Sequence, residues 1–562
     1  MQEQFSASLR KSWIAQLPVC EYDLLVIGGG ITGAGIALDA ASRGLTTLLI
    51  EKKDFGWGTS SRSTKLIHGG LRYLKQLEFA LVYNVGRERK IAYRNAPYLV
   101  HPERMMLPFV KHGSLSPLAA SFGLWLYELL AGVRKGDKRK ILSKESSLLL
   151  EPLLSDDGLK GSAIYSEYRT DDARLVIEIL KTAVHKGAHA INYAKAIETI
   201  KDDSGQVCGV LMEDQMTGKR HTIKARSVVN AAGPWVDEVR KSDGKVKGKH
   251  LKLTKGVHIV IPYPKFPLAQ SIYFDVGDGR MIFAIPRNGV VYAGTTDTFY
   301  DGDLEKVYAD QTDVAYILKA INQTFPKLNL SFDDVESTWA GLRPLIYEEG
   351  KSASEISRKD EIFVSISGLI SIAGGKLTGY RLMAKKVTNL VVKSLRKSKS
   401  ITKALKSSHT QHIPLCGHFD HVSVEAYIDQ LCGEATQIQA NPPLIRRWVQ
   451  SYGAAAEHIV EHAYQIWPNF SHEQKGLVPY FAEIEYAIKH EMVLQPLDFY
   501  LRRTGMLYFE LPQAQILLDA TADFLFEHLK ITDEQIQKAM LNNVREEIAG
   551  LIGFKNERKK RA

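Results

Sequence analysis

The chain is poor in cysteine. Four cysteines in 562 residues, Cys20, Cys208, Cys416 and Cys432, stand far apart and form no C-x-x-C pair. That spacing argues against a disulfide scaffold or a cysteine-built zinc site and fits a reducing compartment. Long apolar runs are missing as well. The opening stretch MQEQFSASLRKSWIAQLPVC lacks the continuous apolar core of a secretory signal, and no run of about 18 uncharged apolar residues would cross a bilayer. The nearest approach, SPLAASFGLWLYELLAGV at 116–133, is interrupted by Pro117 and Glu128. No zinc-finger spacing, RNP sequence or basic zipper region accompanies the net charge of +10. The positive surface therefore points to an anionic substrate or anionic lipid ahead of nucleic acid. The 17 histidines show no metal-ligand spacing, so no metal is expected, and there is no internal repeat.

What is present is the balance of a globular protein, 45% hydrophobic and 24% charged. At ~100–200 residues per domain, about three units with a large core are expected. YDLLVI at 22–27 reads as a buried strand, followed by GGGITGAG, a helical IALDAASRG ending at Gly44, and a second strand, LTTLLIE, closing at Glu51. This is a β-α-β unit of about 30 residues. Gly28, Gly30 and Gly33 match G-x-G-x-x-G in the strand-turn-helix context that gives the motif meaning. Gly28 permits the tight turn, Gly30 lets backbone approach a pyrophosphate, and Gly33 lets helix pack on strand. Ile31 and Thr32 open a helix whose N-terminus favours negative charge. Glu51 would accept hydrogen bonds from a ribose diol and disfavour a 2′-phosphate. The pattern leaves NAD and FAD open. Two further strand-ending glycine turns, NAAGPW (230–235) and AGGKLTGY (373–380), favour a flavin, whose ring needs cover from distant loops.

Beyond this unit, 172–187 has helical periodicity, and strand-like pieces lie around 189–200, 206–214 and 220–224. Residues 250–340 favour β-structure, and a helical pattern runs to the end beyond the Lys/Ser-rich stretch 393–408, taken as a linker. The last residues, NERKKRA, read as a solvated tail. The expected class is α+β/α/β. A Rossmann-like FAD-binding domain with a discontinuous sheet spans 18–100, 160–245 and 340–395. A mostly antiparallel β substrate domain spans 101–159 and 246–339, and an all-α C-terminal domain spans 400–552. The stretch 116–133, with five cations at 134–140, fits an interfacial helix flanked by lipid-attracting charge and equally a buried helix beside a solvated loop. Leu118, Phe122, Trp125, Leu126 and Leu129 fall on one side of such a helix in both cases.

The stretch VIGGGITGAGIALDAASRGLTTLLIEKKDFGWGTSSRSTKLIHGGLRYL resembles the N-terminal signature of FAD-dependent glycerol-3-phosphate dehydrogenases. NAAGPWVD, KGVHIVIP, GTTDT, GLRPL and AGGKLTGYR follow in that family's order. The resemblance covers roughly 20–395, and the wider fold is that of D-amino-acid oxidase-like flavoproteins. It implies FAD held by Gly28, Gly30, Ile31, Thr32, Gly33, Glu51 and Lys52. Thr59, Ser60, Lys65, Leu66, His68, Gly69 and Gly70 would join them from the TSSRSTKLIHGG segment. Ala232, Gly233 and Trp235 would contribute from the second glycine turn, and Gly374, Gly375, Lys376, Leu377 and Thr378 from the third. Gly69 and Gly70 would pass beneath the flavin, where a Cβ would collide with the ring.

For the substrate, the resemblance implies a pocket of Arg72, Tyr73, His258, Arg343, Arg358 and Lys376. Arg343 and Arg358 would hold phosphate, Arg72 would lie near the hydroxyl end, and Lys376 would stabilise reduced flavin. His258 is the candidate base, with an arginine at the alkoxide as the alternative. By residue type alone, His258 in an apolar strand reads as a core residue, and Arg343 before Pro344 as a surface one. The implied reaction oxidises sn-glycerol 3-phosphate to dihydroxyacetone phosphate by hydride transfer to flavin N5, within glycerol and glycerolipid metabolism. Electrons would pass to quinone at the inner face of the cell membrane, where the protein would sit as a cytoplasmic, peripheral enzyme. A glycerol-3-phosphate oxidase using oxygen, or another flavin oxidase of the same fold, is the alternative. A homodimer remains open.

Overall fold

The computed structural model describes residues 5–68, 79–111, 123–124, 126, 138–244, 246, 249–347, 360–419 and 423–559. Leu24–Ile27 is buried along its whole length, as its unbroken apolar sequence requires of a central parallel strand. Helix Ile31–Arg43 follows and is stopped by Gly44, whose φ of 98° a side chain would resist. Thr47–Ile50 returns parallel to Leu24–Ile27.

This unit is the centre of a six-stranded sheet ordered Glu361–Val364, Ile370–Ala373, Val228–Asn230, Leu24–Ile27, Thr47–Ile50, His189–Ile191. All neighbours are parallel except the first hairpin. Strands from three distant parts of the chain complete it, which is the discontinuous sheet expected. A four-stranded sheet, Glu21–Tyr22, Arg220–Ala225, Val207–Asp214 and Ala194–Lys201, lies beside it. Helix Ile31–Arg43 packs between Asp172–His185 and Tyr380–Lys397.

The third sheet has ten strands among the described residues and is antiparallel except where Ser271–Asp275 meets His101–Val110. Two expected borders move. Residues 160–169 and 340–346, assigned from sequence to the FAD-binding side, belong to strands Leu159–Arg169 and Ser337–Ile346, which pair here with His101–Val110 and Leu251–Pro262. Their alternating residues carry no mark of which sheet they join, and only long-range pairing decides it.

The helical region is not a separate ball. Ile484, Phe499, Tyr508 and Leu517 share one core with Met105, Leu107, Tyr292 and Trp339 of the ten-stranded sheet. Ser337 and Thr338 donate their hydroxyls to the carbonyls of Tyr508 and Leu551, at 2.5 and 2.7 Å. The stretch read as a linker is likewise docked. Helix Tyr380–Lys397 runs into it, Ile401 and Leu405 pack against the first core, and the Lys406 N–H bonds the Arg43 carbonyl at 3.0 Å. Its apolar residues find partners despite the lysines around them.

A nucleotide-binding cavity and its neighbouring strand face

A cavity of about 420 Å³ opens where Leu24–Ile27 and Thr47–Ile50 end. Gly28 has φ 112°, and a Cβ there would lie 2.5 Å from the Ala231 carbonyl oxygen. A Cβ on Gly33 would stand 1.8 Å from the Gly28 oxygen. Backbone therefore meets backbone at both points, and only glycine fits. The helix that follows begins with no capping side chain from Gly30 and no acid in its first turn, which leaves a field suited to an anion. Ser60 Oγ accepts the Ile31 N–H at 3.0 Å.

Glu51 accepts the Gly29 N–H at 2.7 Å and the Lys53 N–H at 3.0 Å. Burial pushes its carboxyl above the usual range, opposed by those two donors. Lys52 pairs with Glu305, and its ammonium stands 3.9 Å over the Trp235 ring. Gly28, Gly30, Ile31, Thr32, Glu51, Lys52, Thr59, Ser60, Ala232, Gly233, Trp235, Gly374, Gly375, Lys376 and Leu377 all line the cavity. The three glycine turns thus meet, although more than 300 residues separate the first from the third.

Five of the expected cofactor residues, Gly33, Lys65, Leu66, His68 and Thr378, are described but do not line this cavity. Gly33 lies beneath the turn. Lys65 is buried, with its ammonium on Asp172 at 2.5 Å and on the Ser61 carbonyl at 3.2 Å. Leu66 pairs across to Arg169 in the ten-stranded sheet. Thr378 donates to the His68 carbonyl at 3.2 Å, which ties His68 to the third glycine turn. Gly69, Gly70, Arg72, Tyr73 and Arg358 lie outside the described residues, as does 116–133 apart from Gly123, Leu124 and Leu126.

On Ser337–Ile346, Pro344 faces the cavity while Arg343 points to the other side, as strand alternation demands. There Arg343 is held by Thr295 Oγ1 at 2.9 Å, Asp297 Oδ1 at 3.1 Å and the Thr296 carbonyl at 3.2 Å. His258 shares this strand face. It stacks on Trp339 at 4.9 Å, and its Nε2 lies 3.0 Å from Thr64 Oγ1. Its Nδ1 has no hydrogen-bond partner among the described residues. Burial, then Arg343, then Lys65 hold its pKa well below the ordinary histidine value, so the ring is neutral.

A sequence family described as FAD dependent oxidoreductase matches residues 23–381, and one described as the C-terminal domain of alpha-glycerophosphate oxidase matches 408–536. An aerobic glycerol-3-phosphate dehydrogenase of Staphylococcus aureus is 48% identical over 520 residues, 92% of each chain. The chain belongs to the FAD-dependent glycerol-3-phosphate dehydrogenase family. The glycerol-3-phosphate dehydrogenase from Bacillus halodurans, solved in complex with FAD, is 41% identical over 98% of both chains, with a TM-score of 0.82. The L-alpha-glycerophosphate oxidase from Mycoplasma pneumoniae, solved with FAD bound, has a TM-score of 0.54 at 16% identity, covering 66% of this chain and 95% of its own, and shares the fold.

The residues present fit FAD. The glycine cradle admits a pyrophosphate, Glu51 suits the ribose, and Gly374, Gly375 and Lys376 bring donors to the far end. Several wall residues were not read from sequence: Trp57, Gly58, Ala194–Thr199, Val210, Glu238 and Glu305. Of these, Trp57 and Gly58 lie within the quoted N-terminal signature, directly before the TSSRSTKLIHGG segment. The GTTD turn at 294–297 supplies the three Arg343 hydrogen bonds given above.

Proposed function

We propose that this protein oxidises sn-glycerol 3-phosphate to dihydroxyacetone phosphate. The single observation that carries the reading is a cavity fitted for FAD beside a strand face that holds a neutral buried histidine and a positioned arginine. FAD, when bound, supplies the acceptor for the hydride leaving C2. The protein's own part is to bind, orient and deprotonate. Arg343, fixed by Thr295 and Asp297, offers a preset guanidinium for phosphate, helped by Arg358, with Arg72 and Tyr73 nearer the hydroxyls. His258 takes the C2 hydroxyl proton at Nδ1, the nitrogen left without a partner. Lys376, at the N-terminal side of the turn Leu377–Gly379, places positive charge where negative charge grows.

Electrons then pass to a quinone at the inner membrane face. This reading is supported by the aerobic dehydrogenase relatives and by the cations at 134–140. A second reading, oxygen as acceptor, draws on the match of 408–536 to an alpha-glycerophosphate oxidase domain. Anaerobic addition of glycerol 3-phosphate to the purified yellow protein should bleach the flavin band. Bleaching by D-amino acids but not by the phosphoester would overturn the substrate. On readmitting air, rapid peroxide would establish the oxidase, and slow reoxidation hastened by a quinone analogue the dehydrogenase.

A further inference from the structure

Beneath the cavity lies a buried ionic cluster that the reaction does not use. Asp54, three residues beyond Glu51, is fully buried and accepts from two consecutive arginines of the C-terminal region. Arg503 is bidentate, with Nη1 on Oδ2 at 2.8 Å and Nη2 on Oδ1 at 3.0 Å. Arg502 donates Nε to Oδ2 at 2.5 Å and Nη2 to Asp498 Oδ1 at 2.9 Å. Asn192 adds its amide to Asp54 Oδ1 at 3.2 Å, and the Tyr193 hydroxyl reaches Asp498 Oδ1 at 2.5 Å. Both arginines and Asp498 sit in one π-helical turn, Asp498–Arg503, a form of backbone often found at functional places.

The two segments gripped by this turn are the two walls of the nucleotide end of the cavity. Glu51, Lys52, Trp57, Gly58, Thr59 and Ser60 flank Asp54, and Ala194–Thr199 follow Tyr193 directly. The walls are stitched together at the same point, by Tyr193 N–H to the Lys53 carbonyl at 2.8 Å and Ala194 N–H to the Glu51 carbonyl at 2.7 Å. The Gly56 N–H bonds the Gly29 carbonyl at 3.0 Å, so the Asp54 segment also underlies the glycine turn. Tyr193 and Met492 are both left-handed, with φ 52° and 51°. Non-glycine residues adopt this backbone only where their surroundings impose it.

We propose that the C-terminal helical region acts as a cofactor clamp, its Arg502–Arg503 pair positioning the Asp54 and Asn192–Tyr193 segments so that Glu51 and the adjoining walls are preset for FAD. These are positioning residues, since none of them lines the cavity. The inference rests on the cavity being the FAD site, which titration of wild-type apoprotein with FAD tests separately.

The deciding experiment compares FAD dissociation constants, from flavin fluorescence titration of apoprotein, with unfolding midpoints of the same apoproteins. Arg503→Met and Asp54→Asn should weaken FAD about tenfold or more, as loss of a support behind a binding group does. Arg503→Lys should recover part of that loss. The control is Arg447→Met, which breaks an equally buried pair with Glu483 inside the helical region. It should lower the unfolding midpoint but leave FAD affinity within about twofold. Unchanged FAD affinity in Arg503→Met and Asp54→Asn would overturn the clamp, as would an equal loss in Arg447→Met. If Arg503→Met yields no folded protein, Tyr193→Phe decides. A weakened FAD affinity supports the clamp, and an unchanged one overturns it.

Discussion

His258 is held neutral by burial first and by Arg343 and Lys65 next. In the unfolded chain its pKa is ~6.5, so below that pH the unfolded state takes up a proton that the native state refuses. Its contribution to stability is therefore level above ~6.5 and falls as pH drops below it. The stability of His258→Gln relative to wild type should rise between pH ~7 and ~5 by calorimetry, and a constant difference would mean the native imidazole protonates. The same substitution should slow flavin reduction at saturating substrate by roughly 10²–10⁴-fold. An unchanged rate would remove His258 as base. Arg343→Ala should weaken substrate binding on the order of 10²-fold, from ~2–5 kcal/mol lost with a charged partner, while flavin content stays near wild type. Equal loss of both would misplace it. These residues were legible as chemistry because their motifs resembled a family. Their holders, Thr295 and Asp297, lie in GTTDT, a motif of the same order, but that they hold Arg343 was not legible, because the arginine stands 46 residues further along the chain.

At the scale of elements, close approach decides most of the site. A Cβ on Gly33 would meet the Gly28 oxygen at 1.8 Å, and carbonyl backbone cannot yield as a side chain can. Gly33→Ala should therefore lose most of its flavin, read as the flavin-to-protein absorbance ratio. A normal ratio would mean that helix and turn can part without cost. Gly256 acts differently. Its missing Cβ leaves room for the Arg343 guanidinium, which would lie 2.3 Å away. Gly256→Ala should raise KM while flavin is retained, and an unchanged KM would show that Arg343 has a second resting place. The first glycine could be read from the sequence because its strand and helix adjoin it in the chain. The second could not, because its reason stands 87 residues away on a neighbouring strand.

For the molecule as a whole, charge and the helical region carry the open questions. Among the described residues no helix is long and apolar enough to cross a membrane. Attachment through the apolar stretch 116–133 and its cations would instead be interfacial. Reversing the charges at 134–140 should weaken sedimentation with anionic vesicles, most clearly at low salt. No change would favour the buried-helix reading. The C-terminal helices share a core with the ten-stranded sheet and an ionic cluster with the segments that wall the nucleotide cavity, so they are built into the same body.

The sequence by itself determined the local units: the β-α-β start, the glycine turns, the helices with clean periodicity, and the order of motifs that marks the family. Each depends on neighbours within a few turns of chain, where spacing and residue type suffice. Tertiary structure alone decided which sheet Leu159–Arg169 and Ser337–Ile346 would join, which face of a strand would carry Arg343, and why Asp54 is charged in the core. Those outcomes turn on pairings between segments from 49 to 449 residues apart, and the Asp54 carboxylate is tolerable in the core because two arginines arrive from the far end of the chain to meet it.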